Sequence, residues 1–181
     1  MALIKSISGI RGTIGGKPGD TLSPLDVVKF TSAFGIWLKE KNPDNKNVVV
    51  GRDGRISGKL IQNVVISTLN ALGLNVIDLD LSTTPTVEWA VKAENAIGGI
   101  IITASHNPQE WNALKLLNSE GEFISNEDGK AVLDIALNEQ FEYVPVQMLG
   151  THRPNDSYMQ KHIDAIVNYE LVNVTAIKKA N

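Results

Sequence analysis

Thr103-Ala104-Ser105-His106-Asn107-Pro108 is the stretch that decides how this chain is read. It follows Gly98-Gly99-Ile100-Ile101-Ile102, an apolar β-branched run of the kind that fills a buried strand. A hydroxyl just past the carboxyl end of such a strand sits where open α/β sheets hold their ligands. Asn107-Pro108 ends regular structure there, because proline fixes φ and disfavours the α region for the residue before it. The stretch predicts a rigid, polar loop that presents Ser105.

Outward from it, strands and helices alternate. Residues 3–7 read as a short strand leading into a glycine-rich loop over 8–19. Ser23-Pro24 is a strong helix start, serine capping and proline taking the first helical position, with Asn42-Pro43 as the stop. Leu25, Val28, Phe30, Phe34, Trp37 and Leu38 give that helix an apolar stripe. Val48-Val49-Val50 is a central-strand run. Ser57 is a candidate cap for a second helix that buries Leu60, Ile61, Val64, Val65, Thr68 and Leu69 and stops at Gly73. Residues 76–81 form the next strand, and Thr84-Pro85 opens a helix to about residue 94. Residues 114–117 and 122–124 read as a hairpin around Asn118-Ser119-Glu120-Gly121. Ser125 to Asp128 resembles a capping box, followed by Val132, Leu133, Ile135, Ala136 and Leu137 as an inner face. The alternation predicts an α/β fold, a three-layer α/β/α domain with a mostly parallel mixed sheet, the strand near Leu116 adding an antiparallel edge.

Composition excludes several classes. The chain has 181 residues, 43% hydrophobic and 20% charged, as an ordinary globular domain has. A net charge of −3 gives no electrostatic reason to expect nucleic acid or an anionic membrane as partner. Without cysteine there are no disulfides and no thiol chemistry, which suits a reducing compartment. The opening residues carry no signal-peptide h-region and no segment reaches membrane-spanning length, so the expected location is cytoplasmic.

Three segments in order resemble the phosphohexomutases, the family of phosphoglucomutase, phosphomannomutase and phosphoglucosamine mutase. The Ser105 stretch resembles its phosphoserine loop, Ser8-Gly9-Ile10-Arg11-Gly12 its N-terminal arginine loop, and Gly51-Arg52-Asp53-Gly54-Arg55-Ile56-Ser57-Gly58 its second glycine-arginine segment. The resemblance covers roughly residues 3–150 and implies the N-terminal domain I of such an enzyme. Residues 151–181 then read as a linker and the first helix of a truncated second domain: after Pro145, Gly150 and Pro154, a helix over 158–171 carries an apolar stripe with nothing obvious to cover it.

The resemblance implies intramolecular phosphoryl transfer, interconverting a hexose 1-phosphate and 6-phosphate. Ser105 would carry the phosphate and pass it through a bisphosphorylated sugar. Such transfer needs in-line positioning and cationic cover for the phosphoryl oxygens. Arg11, between Gly9 and Gly12, suits that cover, because guanidinium can bind two phosphate oxygens where glycine lets backbone approach. Histidine as a residue type makes His106 a candidate base, but neighbouring side chains in an extended loop point apart. The resemblance puts it in the cleft against phosphate or substrate. Asn107 shapes the loop through its amide. Lys115, in Asn112-Ala113-Leu114-Lys115, resembles the family's lysine beside the phosphoserine, a candidate general acid/base alongside His106 and a phosphate contact; Ala113 stands where the family usually has glycine. Arg52, Asp53 and Arg55 read as an internal ion-pair network, and Asp78 and Asp80 as a solvated strand edge.

The family's magnesium implies one ligand here, the Ser105 phosphate, with the other ligands on a second domain; hexose bisphosphate is the implied activator. Hexose phosphate and further domains of the same polypeptide are the expected partners, and the chain alone is expected to turn over little. The alternative is a stand-alone sugar-phosphate-binding module without catalysis. A serine hydrolase lacks its Gly-x-Ser-x-Gly elbow, and Gly15-Gly16-Lys17 runs into proline rather than forming a P-loop.

Overall fold

The β-branched runs become the middle of one seven-stranded sheet in the computed structural model, which describes residues 2–6 and 9–180. Ser8, the first residue of the arginine-loop resemblance, and Ile7, the end of the expected first strand, lie outside those residues. The strands are β1 (Leu3–Ser6), β2 (Gly9–Thr13), β3 (Asn47–Arg52), β4 (Asn75–Leu81), β5 (Gly98–Ile102), β6 (Trp111–Leu117) and β7 (His152–Pro154). Their order across the sheet is β1-β2-β6-β5-β3-β4-β7. The pairs β5–β3, β3–β4 and β4–β7 are parallel; β1–β2, β2–β6 and β6–β5 are antiparallel.

Helices cover both faces, confirming the three-layer α/β/α reading. Alternation sends Val48, Val50, Ile100, Ile102, Leu114 and Leu116 to one face, against α1 (Pro24–Lys41), α2 (Gly58–Ala71) and α4 (Asn126–Asn138). It sends Val49, Ile77, Ile101 and Leu117 to the other, where α3 (Thr84–Ala93) and Tyr158 of α5 (Tyr158–Val167) meet them. The second cover is narrower. A final helix, α6, runs over Val174–Lys179. No helix among the described residues is long and apolar enough to cross a membrane.

Local chemistry accounts for the element ends. Ser23 and Asp26 form a reciprocal capping box, the Ser23 hydroxyl accepting from Asp26 N–H at 3.3 Å and the Asp26 carboxylate from Ser23 N–H at 3.1 Å. Gly73, at φ +80°, closes α2 in a Schellman turn, with Leu74 N–H donating to Leu69 O at 3.0 Å and Gly73 N–H to Asn70 O at 3.0 Å. Ser125 caps α4 through Asp128 N–H at 3.1 Å.

The structure corrects several expectations. The strand ending at Leu117 is antiparallel but interior, because β2 and β1 continue the sheet beyond it. The hairpin return is a single bridge, Leu117 to Phe123, rather than a second strand. Thr83 caps α3, one residue before the expected start, and Ser57 caps nothing: its hydroxyl accepts from Asn112 Nδ2 at 2.9 Å instead. Leu25, Leu60 and Leu137, expected on inner faces, are exposed. Residues 152–154, read as connection, form the edge strand β7, and α5 ends at Val167 rather than near 171. Asp78 is not solvated: it is 4% exposed, accepting from Gln62 Nε2 at 2.5 Å and lying 2.9 Å from His152 Nε2. Asp80, at φ +49° where the β3–β4 register slips, turns outward to Arg52 at 2.8 Å.

Candidate active site

Where the α3 layer stops short, β2 and β6 expose one face. The register pairs Arg11 with Ala113 and Ile10 with Leu114. Ile10 and Leu114 therefore go down into the core, while Gly9, Arg11, Ala113 and Lys115 stand on the open face. Residues 103–107 leave the carboxyl end of β5 and close that face into a cavity of about 270 Å³, with Phe123 at its rim. Ser105, His106, Asn107, Arg11 and Lys115, the five residues singled out in the sequence, all line it.

Gly9 makes the cavity possible. Its φ is +124°, and a Cβ there would stand 2.3 Å from Leu114 O, so only glycine lets β2 lie this close to β6.

The loop is held from within. Ser105 is exposed and left-handed, at φ +55°, a conformation that side-chain-bearing residues keep only when their surroundings enforce it. Its N–H donates to Thr103 Oγ1 at 3.0 Å, and the Thr103 hydroxyl donates to Asp53 Oδ2 at 2.6 Å. Asn107 shapes the turn as expected, its amide Nδ2 donating to Ala104 O at 2.8 Å. One expectation fails: because Ser105 is left-handed rather than extended, its Oγ and His106 Nδ1 do not point apart but make a long contact at 3.4 Å.

Charge on the open face is one-sided. Arg11 is exposed, and Lys115 is half-buried with its ammonium 5.5 Å from the centre of the Phe123 ring. Asp53, the carboxylate bonded into the loop, is already taken by Thr103 and by Arg55, which sits at 3.2 Å. Arg52 and Arg55 line no part of the cavity and belong to internal networks, as their position after a central strand suggested. Among the described residues no group of three or more acidic, histidine or cysteine side chains could hold a metal ion. The described side chains alone thus do not build a magnesium site.

Sequence reading missed Phe123, Gly9 and Thr103 as site residues. Phe123 follows a turn that sequence places only as a hairpin, Gly9 sets the β2–β6 approach rather than the phosphate approach expected of it, and the Thr103 hydroxyl matters through Asp53, fifty residues away in sequence.

A three-layer α/β/α domain thus presents a hydroxyl, a histidine and two cations on one cavity, hydrogen-bonding groups and positive charge that are complementary to an anion. Comparison with known proteins goes further. Residues 3–143 match the family described as phosphoglucomutase/phosphomannomutase, alpha/beta/alpha domain I, and the chain belongs to that family. It is 38% identical over 170 residues to a phosphoglucomutase/phosphomannomutase of Thermococcus kodakarensis, covering 93% of this chain and 37% of that protein. It is 33% identical over 159 residues to a phosphoglucosamine mutase of Helicobacter pylori, covering 85% and 36% respectively. Among solved structures, a phosphoglucomutase/phosphomannomutase family protein of Burkholderia thailandensis superposes with a TM-score of 0.76 at 25% identity, covering 92% of this chain and 35% of that one. The chain thus spans little more than a third of the length of the relatives it matches.

Proposed function

We propose that this chain is the phosphoserine-bearing domain of a phosphohexomutase, with Ser105 as phosphoryl carrier. The observation that carries this reading is the convergence of Ser105, His106, Arg11 and Lys115 on one cavity, with Ser105 held left-handed by its own loop.

In the forward step a hydroxyl of a hexose phosphate attacks the phosphorus on Ser105. The new sugar O–P bond forms, the Ser105 Oγ–P bond breaks, and the sugar hydroxyl's proton passes to the His106 imidazole on the cavity. Ser105 Oγ leaves with the electron pair and takes a proton from a group on the cavity. His106 Nδ1, 3.4 Å from Ser105 Oγ, and the Lys115 ammonium on the same cavity are the proton-handling groups there. The second step reverses the first on the other phosphate of the bisphosphorylated sugar, returning a phosphoryl group to Ser105. Arg11 and Lys115 would cover the phosphoryl oxygens throughout. Magnesium, if engaged, would meet this chain only at a phosphoryl oxygen on Ser105. No step here runs through it.

The proposal extends to the whole protein: sugar recognition and turnover would need residues beyond these, with residues 151–181 leading into a second domain. The chain alone should therefore react about once. The test is incubation with a hexose 1,6-bisphosphate and measurement of hexose monophosphate released. Release of about one equivalent, abolished by Ser105→Ala, is expected. Tight binding of the bisphosphate with no release would instead select the non-catalytic sugar-phosphate module.

A further inference from the structure

Arg55 differs from Arg11 in every respect that matters for function. Its side chain is 12% exposed and it contributes nothing to the cavity wall. A guanidinium has five N–H bonds in a fixed plane, and here all five are used. One terminal nitrogen donates to Ser105 O at 2.8 Å and Asn107 O at 2.7 Å. The other donates to Pro108 O at 2.8 Å and Trp111 O at 3.0 Å. Nε donates to Asp53 Oδ2 at 3.2 Å. No donor remains for a phosphate.

The circuit closes on Ser105. Asp53 accepts from the Thr103 hydroxyl, Thr103 accepts from Ser105 N–H, and Arg55 takes Ser105 O. Both backbone polar groups of the serine are thereby committed, at a residue whose φ of +55° needs enforcement. There is an electrostatic consequence as well. Four loop carbonyls, which would repel a phosphoryl dianion if they faced it, are gathered onto a largely covered cation instead.

We propose that Arg55, through Asp53 and Thr103, is a positioning residue for phosphoryl transfer: it sets the conformation from which Ser105 Oγ meets phosphorus, without touching the substrate. This rests on the carrier reading of Ser105. Lysine cannot replace it, because three donors on a flexible stem cannot hold four carbonyls and a carboxylate in one plane.

The experiment compares the 181-residue chain with Arg55→Lys, Arg55→Ala and Thr103→Val. Single-turnover transfer from a hexose 1,6-bisphosphate is measured over a range of donor concentrations, with melting curves and the Ser105 backbone chemical shifts recorded in parallel. Arg55→Lys should lower the limiting transfer rate about a hundredfold while the half-saturating donor concentration stays unchanged. The left-handed signature of Ser105 should be lost, and methylguanidinium should restore part of the rate to Arg55→Ala. Thr103→Val, a near-isosteric change, should lower the rate in the same way with a smaller loss, and carries the test should the Arg55 variants not fold. A wild-type limiting rate in Arg55→Lys or Thr103→Val overturns the proposal, as does a defect confined to the half-saturating concentration. If the wild-type chain accepts no phosphate at all, the carrier reading fails, and this proposal with it; if the wild type is phosphorylated and the variants equally so, only the role of Arg55 fails.

Discussion

Two stretches of irregular chain leave this sheet, and they are held in different ways. The loop from Thr103 to Trp111 is fastened by its own backbone carbonyls, which converge on the largely covered Arg55. The segment carrying β7 and α5 pairs with β4 through β7 and is fastened beyond that by side chains at the far edge. His152 meets Asp78 at 2.9 Å, Arg153 and Tyr158 meet Glu94 at 2.6 and 2.5 Å, and His162 meets Thr86 at 2.9 Å while stacking on Trp89. Beyond Tyr158 the apolar residues Ile163, Ile166 and Val167 of α5 stay exposed. Loop carbonyls that bond a permanently charged arginine keep those bonds over the ordinary pH range. A segment hung on the Glu94 carboxylate and the Tyr158 phenol is sensitive to pH at both extremes. The comparison teaches that one stretch is built to keep a geometry and the other to be attached.

The largest effect should come from removing the hydroxyl that the first stretch presents. Ser105→Ala should abolish phosphate uptake and leave the melting temperature nearly unchanged, because an exposed side chain away from the core shifts stability by no more than about 0.5 kcal/mol. A large fall in melting temperature would mean that the Ser105 hydroxyl supports the loop rather than serving chemistry.

Next comes Gly9→Ala, which puts a methyl 2.3 Å from Leu114 O at a positive φ. It should cost roughly 1–3 kcal/mol or more in denaturant melts and weaken phosphate binding by moving β2 away from β6. Unchanged stability would show that β2 can move without disturbing the sheet.

On the other stretch, Tyr158→Phe should destabilise the docking of α5 by about 1–2 kcal/mol, seen as faster amide exchange in α5 while the Ser105 loop is unaffected. Docking should also depend on pH at both ends. Burial pushes Glu94 up, but hydrogen bonds from Tyr158 and Arg153, with the charges of Arg153 and Lys161, outweigh it and leave its pKa below the ordinary 4.5. Its contribution is present above that value and lost as pH falls through the lowered range. Burial, then the hydrogen bond and charge of Glu94, push Tyr158 above its ordinary value of 10.0. Its contribution is full below pH 10 and declines as pH rises through the interval above it. Fluorescence of Trp89, isolated by Trp37→Phe and Trp111→Phe, should report both transitions, with a plateau between them. A signal that stays flat through both the acid and the alkaline range would contradict the attachment account.

The smallest expected effect is at the cavity rim. Phe123→Leu removes the ring under the Lys115 ammonium and should lower transfer by severalfold, matching about 0.5–1 kcal/mol for an exposed cation–π contact. An effect larger than that of Gly9→Ala would make Phe123 a substrate contact in its own right.

Much of this was legible in the residues. The β-branched runs, Ser23-Pro24 and the Ser105 stretch each carry their meaning locally, so the layered fold followed from them, while the family resemblance of the segments around Arg11, Ser105 and Lys115 singled out the five cavity residues. What was hidden depends on neighbours distant in sequence. The interior place of β6 is set by β2, about a hundred residues earlier, and β7 is only three residues of polar sequence whose strand character comes from pairing with β4. Asp78 reads as an edge residue until Gln62 and His152 are seen to enclose it. Arg55 and Asp53 read as an ion pair, and do form one, but the four carbonyls that give the pair its purpose lie some fifty residues downstream.

The most direct test of the central claim is phosphopeptide mapping of the chain after exposure to a hexose 1,6-bisphosphate. The account predicts one phosphate, on Ser105, still absent from every peptide of the Ser105→Ala variant. Phosphate on another residue, or none on Ser105 while the bisphosphate binds, would contradict it.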